Sequence, residues 1–154
     1  MVLVTGRPCT MPLLRSVSDY LTISYQSDTG VLTGRFLRPV SEAENQQAYH
    51  DLLAAAQQHN RARYWLLDIR RRHRSGPLTL AWLLRDFYPL LVRELGPPVR
   101  LVYFMAPGLR QEFQTDGTVP EPSTYDPHEP FRMNQCITEG EAIGWLLAEQ
   151  PERA

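Results

Sequence analysis

Between two stretches of helical periodicity the chain carries a short run, Tyr64-Trp65-Leu66-Leu67-Asp68-Ile69, in which apolar residues do not alternate with polar ones. A strand with one wet face alternates with period two, so a strand apolar on successive residues is covered on both faces, the condition of a parallel sheet flanked by helices. Val99 to Met105 repeats the pattern. Parallel neighbours cannot be joined by a tight turn and need long crossovers, and this chain supplies helices at the right places. Ser41 with Glu44 three positions on forms a capping box, after which Tyr49, Leu52, Leu53 and Ala56 make one apolar stripe that stops near Asn60. Pro77 suits a first helical turn, and Leu80, Leu83, Leu84, Phe87 and Leu91 share a face up to Gly96, with a kink expected at Pro89.

Upstream, Leu21, Ile23 and Tyr25 alternate with Thr22 and Ser24, Ser27-Asp28-Thr29-Gly30 supplies a turn, and Val31 to Leu37 is extended again until Pro39, which together predict a β-hairpin. Downstream, Phe131, Met133, Gln135 and Ile137 alternate as a further strand, and Thr138 with Glu141 caps a last helix whose Ala142, Ile143, Leu146 and Leu147 point inward. The pattern predicts one α/β domain over 19–150: a mixed five-stranded sheet with an N-terminal hairpin, then βα units whose strands from Tyr64, Val99 and Phe131 run parallel, and about three main helices. Residues 1–18, with Pro8 and Pro12, read as an extended arm, and 107–130 as a Pro-rich loop with room for one helical turn from Leu109 to Phe113.

Composition narrows the chemistry. A length of 154 residues suits one core, and a formal charge of -1 gives no basic field for nucleic acid. All 16 basic side chains are arginines, so lysine Schiff bases and P-loop lysines are excluded. Cys9 and Cys136 are too few for a disulfide framework, and no apolar stretch near the start is long enough for a signal core or a membrane span. These features predict a soluble cytoplasmic protein with no cofactor. His50, His59, His73 and His128 include no pair at ligand spacing, so no metal is expected.

Tyr20-Leu21-Thr22-Ile23 with Gly30-Val31-Leu32, the run Tyr64 to Arg70, Trp82 with Phe87 and Pro89, and Glu141-Ala142-Ile143-Gly144-Trp145-Leu146 together resemble the SpoIIAA-like fold of STAS domains. More narrowly, the chain is similar over residues 20–148 to the small stand-alone STAS/SEC14-type bacterial proteins of Bacteroidetes. The resemblance implies a regulatory or protein-interaction module. In anti-sigma-factor antagonists an Asp-Ser-Ser-Gly signature after the central strand carries a phosphorylated serine; here that region reads His73-Arg74-Ser75-Gly76, without the acidic residue or the doubled serine.

Arg70, Arg71, Arg72, His73, Arg74 and Ser75 follow the central strand and precede a helix N-terminus, the crevice where open α/β sheets bind ligands. They are the candidates for holding an anion or an acidic partner; the same run is also the composition of a solvated loop. Asp68 beside them has the residue type of a catalytic carboxylate, and more simply of an ion pair or loop anchor. Asp68, His73 and Ser75 are too closely spaced for a nucleophilic triad, and no Gly-x-Ser-x-Gly turn presents the serine. Trp82 projects opposite the Leu80 face at helical spacing, near Arg85, as an interface anchor would, unless Pro89 or a shifted register turns it inward; Phe113 is a further ligand or interface candidate. The leading expectation is a non-enzymatic STAS-like regulatory or interaction module binding a protein partner or a second copy of itself. A SEC14-like carrier of a small molecule or lipid is the alternative, and an anion-binding enzyme the third.

Overall fold

The computed structural model describes residues 13–16, 19–72, 77–116 and 129–150. His73, Arg74, Ser75 and most of the expected arm and Pro-rich loop lie outside the described residues. The strands are β1 (Leu13–Ser16), β2 (Leu21–Gln26), β3 (Val31–Phe36), β4 (Tyr64–Asp68), β5 (Val99–Phe104) and β6 (Phe131–Cys136). They form one mixed sheet in the order β1-β2-β3-β4-β5-β6. β2 and β3 are the antiparallel hairpin, and β3 to β6 run parallel, as the unalternating runs require. The five expected strands are present, and Leu13–Ser16 adds a sixth by pairing antiparallel with β2 at the edge.

The helices are α1 (Glu42–Gln58), α2 (Pro77–Trp82), α3 (Tyr88–Leu95), α4 (Pro107–Asp116) and α5 (Glu139–Glu149). α1 begins at the full capping box, with Glu44 N–H donating to Ser41 Oγ at 3.1 Å and Ser41 N–H to Glu44 Oε1 at 2.9 Å. It ends where Asn60 and Arg61 take positive φ values of 59° and 52°. Thr138 caps α5 through the Glu141 N–H at 3.1 Å. α4 corrects the expected loop: the first ten residues of the Pro-rich stretch are helical, because Pro107 sits where a helix tolerates proline and the next proline comes only at Pro120.

The second crossover departs from a simple kinked helix. A π-helical turn, Leu83–Phe87, joins α2 to α3, with the Tyr88 N–H bonded to the Leu83 carbonyl and Pro89 entering just after it. A proline has no N–H and collides with the carbonyl four residues back, and the wider turn relieves both problems. The extra residue also shifts the buried stripe to Leu83, Phe87, Tyr88, Leu91 and Leu95, leaving Leu84, expected inside, 47% exposed.

Alternation along the strands divides the core in two. Leu32, Phe36, Trp65, Leu67, Ile69, Leu101 and Tyr103 face α1, α2 and α3. Val31, Tyr64, Leu66, Val102, Phe104 and Cys136 face the other way, against Ala142 and Leu146 of α5, with Ile143 and Trp145 packed partly over them. Trp145, near the end of the described chain, helps cover the edge of this smaller core. The tightest approach is at Gly34 in β3, where a Cβ would stand 2.8 Å from Leu52 Cδ2 and 3.1 Å from Leu67 Cδ2. Both leucines are fully buried, so neither has space to retreat. Gly34→Ala is expected to destabilise the fold by about 1–3 kcal/mol, the range of core overpacking, read as a lower urea midpoint with unchanged slope.

Candidate functional site

The C-terminal ends of the parallel strands gather the arginine run around Asp68. Cross-strand register sets Arg35 of β3 and Phe104 of β5 on either side of it. Arg70 folds back across the strand end: its Nε lies 3.0 Å from Asp68 Oδ1 and its Nη2 2.8 Å from Oδ2, while its backbone N–H donates to Oδ1 at 3.2 Å. Arg35 Nη1 adds a bond to Oδ2 at 2.7 Å, and its Nη2 reaches Glu139 Oε1 of α5 at 3.2 Å. Burial by itself pushes the Asp68 carboxyl up, but the bonds from Arg70 and Arg35 outweigh it and hold the group below its usual range. Both oxygens of a buried, ionised carboxylate are thus occupied, and Asp68 anchors the turn after β4.

The run then splits across the sheet. The Arg70 guanidinium carbon lies 4.2 Å from the Phe104 ring centroid on the α5 side, whereas that of Arg72 lies 4.5 Å from the Phe36 centroid on the α1 side. Arg71, between them, is exposed and makes no hydrogen bond or ion pair with the described residues. The arginines read from the sequence as one group therefore do different things: Arg70 and Arg72 pack onto the two faces of the sheet, and Arg71 is offered to solvent.

Trp82 is only partly exposed. Its ring stacks on Phe87 at 5.1 Å between centroids and meets Tyr49 and His50 edge-on at 6.1 and 5.7 Å. In an unbroken helix two residues five apart differ by about 140° in direction. The wider π-helical turn brings Trp82 and Phe87 round to the same side, the shifted-register alternative. Leu78, 71% exposed, projects further outward than Leu84, with Arg85 exposed about two turns on. Phe113 lies in α4, with its side chain outside the described part.

Two polar groupings went unread in the sequence. Under α1 and α3, Tyr103 OH lies 2.7 Å from both Tyr49 OH and Tyr88 OH, and Tyr88 OH is 3.8 Å from Met133 Sδ. One direction of donation satisfies every hydroxyl: Tyr49 to Tyr103 to Tyr88 to the sulfur. Burial pushes the Tyr103 and Tyr88 phenols far up, so they stay neutral. On the α5 side, Arg100 Nε lies 2.7 Å from Glu149 Oε1 and Arg132 Nη1 3.5 Å from Oε2, with the three side chains 1%, 7% and 5% exposed. A signal was available, since an arginine inside the apolar run Val99 to Met105 demands a buried acceptor.

Among the described residues no group of three or more histidine, cysteine, aspartate or glutamate side chains is placed to hold a metal ion, and no helix is long and apolar enough to cross a membrane. Compared with protein-family models, curated proteins and solved structures, the chain matches none.

Proposed function

We propose that the chain is a non-enzymatic STAS-like interaction module, acting in the cytoplasm, that docks an acidic protein surface against the C-terminal edge of its parallel strands. The observation that carries this reading is the state of Asp68. The carboxylate best placed at that edge for proton transfer is 5% exposed and bonded on both oxygens by Arg35 and Arg70, which suits a scaffold better than a general base. Arg71 is meanwhile presented outward, and Arg74 follows close behind it in the chain. The hairpin leading into parallel βα units supports the STAS-like reading of the fold. A reducing compartment suits the free, buried Cys136.

Calorimetric titration with an oligo-glutamate peptide tests the docking reading. Binding is expected to weaken as salt rises, because the attraction is between exposed charges. The variant Arg71→Gln should weaken it without loss of stability, since an exposed charge contributes only about 0–1 kcal/mol. Arg70 and Arg72 are left in place because they pack against Phe104 and Phe36. Equal binding by the variant and the parent would overturn the reading.

A further inference from the structure

The seven residues from Leu78 to Leu84, most of α2 and the start of the π-helical turn, carry no charged side chain, and the one polar residue among them, Thr79, is buried. A helical stretch apolar on every side belongs inside a protein, yet this one lies on the surface. Leu78 is 71% and Leu84 47% exposed, two of the three large apolar side chains exposed among the described residues, and Trp82 between them is partly exposed. The neighbouring α1 does the opposite and turns Glu42, Gln47 and Gln58 to water. Where the apolar stretch ends, Arg85 and Asp86 stand side by side, both exposed, and neither forms an ion pair or hydrogen bond with a described residue. Seven residues make nearly two helical turns, so Arg85 stands on the side of the segment that Leu78 occupies.

We propose that this face pairs with the same face of a second copy of the chain about a two-fold axis, the two helical segments running antiparallel. A two-fold contact presents a surface to itself, so every charge on it must find its counter-charge on that same surface. Adjacent opposite charges meet the condition: with the axis beside them, Arg85 of each copy bonds Asp86 of the other, and both pairs form at once. The apolar stretch precedes these charges in the chain, and antiparallel pairing carries it over the start of the second copy's α3, where Pro89 is exposed and Leu90 half-buried. Trp82 is already stacked on Phe87, so little ordering is needed when the contact forms. A membrane suits the face less well, because Asp86 and the exposed Glu42 of α1 would repel anionic headgroups. The inference does not use Arg71 and is independent of the docking surface proposed above.

Sedimentation velocity of the full chain over a range of concentrations tests it. One helical segment per copy makes a small interface, so a concentration-dependent equilibrium between monomer and dimer is expected. Leu78→Ser should weaken the dimer at least tenfold, and so should Arg85→Asp or Asp86→Arg alone, because each charge change sets like charges against one another across the axis. All three side chains are exposed, so the variants are expected to melt with the parent. Mixing the Arg85→Asp and Asp86→Arg chains restores opposite charges across the contact, and a heterodimer is expected where each variant alone is monomeric. A parent that remains a monomer at about 1 mM, where even a millimolar Kd would show, overturns the proposal, and one that does so while binding lipid vesicles gives the face to a membrane. A dimer that survives both charge changes, or charge variants that fail to associate when mixed, overturns it equally.

Discussion

Glu149→Leu is expected to cost about 3–5 kcal/mol, the range for removing one partner from a buried charge cluster. The carboxylate is the acceptor that Arg100 and Arg132 share beneath α5. Besides Glu149, Arg100 also bonds the Val99 and Glu129 carbonyls, at 3.1 and 2.9 Å. Leucine fills the space of the side chain, so the loss isolates electrostatics from packing. For a domain of this size the melting temperature should fall by roughly 6–20 °C, at about 2–4 °C per kcal/mol. The triple change Arg100→Met, Arg132→Met, Glu149→Leu removes the charges with their acceptor and is expected to recover most of that loss, because buried ion clusters contribute little net stability against apolar residues of similar size. A triple variant as unstable as Glu149→Leu would show that the arginines hold the sheet end through their carbonyl bonds.

Asp68→Asn is expected to cost about 2–4 kcal/mol in urea denaturation, since two guanidiniums lose a shared charged acceptor while remaining partly hydrated. The pH dependence has a definite sign. The folded carboxyl lies below its ordinary value of 3.8, so the stability it contributes is fully present above the unfolded value and is lost as pH falls toward and through the folded one. The parent should therefore show an acid-side decline in stability between pH 5 and the folded value, and Asp68→Asn should flatten its share of that decline. An unchanged acid profile would mean that the ion pairs with Arg35 and Arg70 do not hold the carboxyl charged.

Where elements began and ended was largely legible in the residues. Ser41 and Thr138 start their helices because a side-chain oxygen there reaches an N–H that the helix itself cannot satisfy, and that requirement is local. The unalternating runs around Trp65 and Leu101 announced two-sided burial because a pleated strand sends alternate residues to opposite faces. Trp82 was read with a fixed angle per residue, and a single wider turn before Pro89 was enough to alter its surroundings. β1 escaped because its place depends on an edge supplied by β2, and α4 because prolines were read as interrupting a stretch whose first ten residues contain only Pro107.

The candidate site divides along the same line. That arginines and an aspartate would meet at the end of the central strand followed from adjacency in the chain. Which arginine turned inward did not: Arg35 reaches Asp68 through strand pairing across 33 residues, and Glu139 reaches Arg35 from a helix 104 residues away. The class of fold, the hairpin, the parallel strands and the capped helices follow from the order of residues alone, because each rests on periodicities and hydrogen bonds within a few residues. That Arg70 and Arg72 pack on opposite faces, that Tyr49, Tyr88 and Tyr103 join hydroxyls and that Glu149 pairs with two buried arginines emerges only from the folded arrangement. Those outcomes depend on which distant side chains the sheet order brings within about 3 Å of one another, and a polar group's burial is set by that proximity, not by its neighbours in the chain.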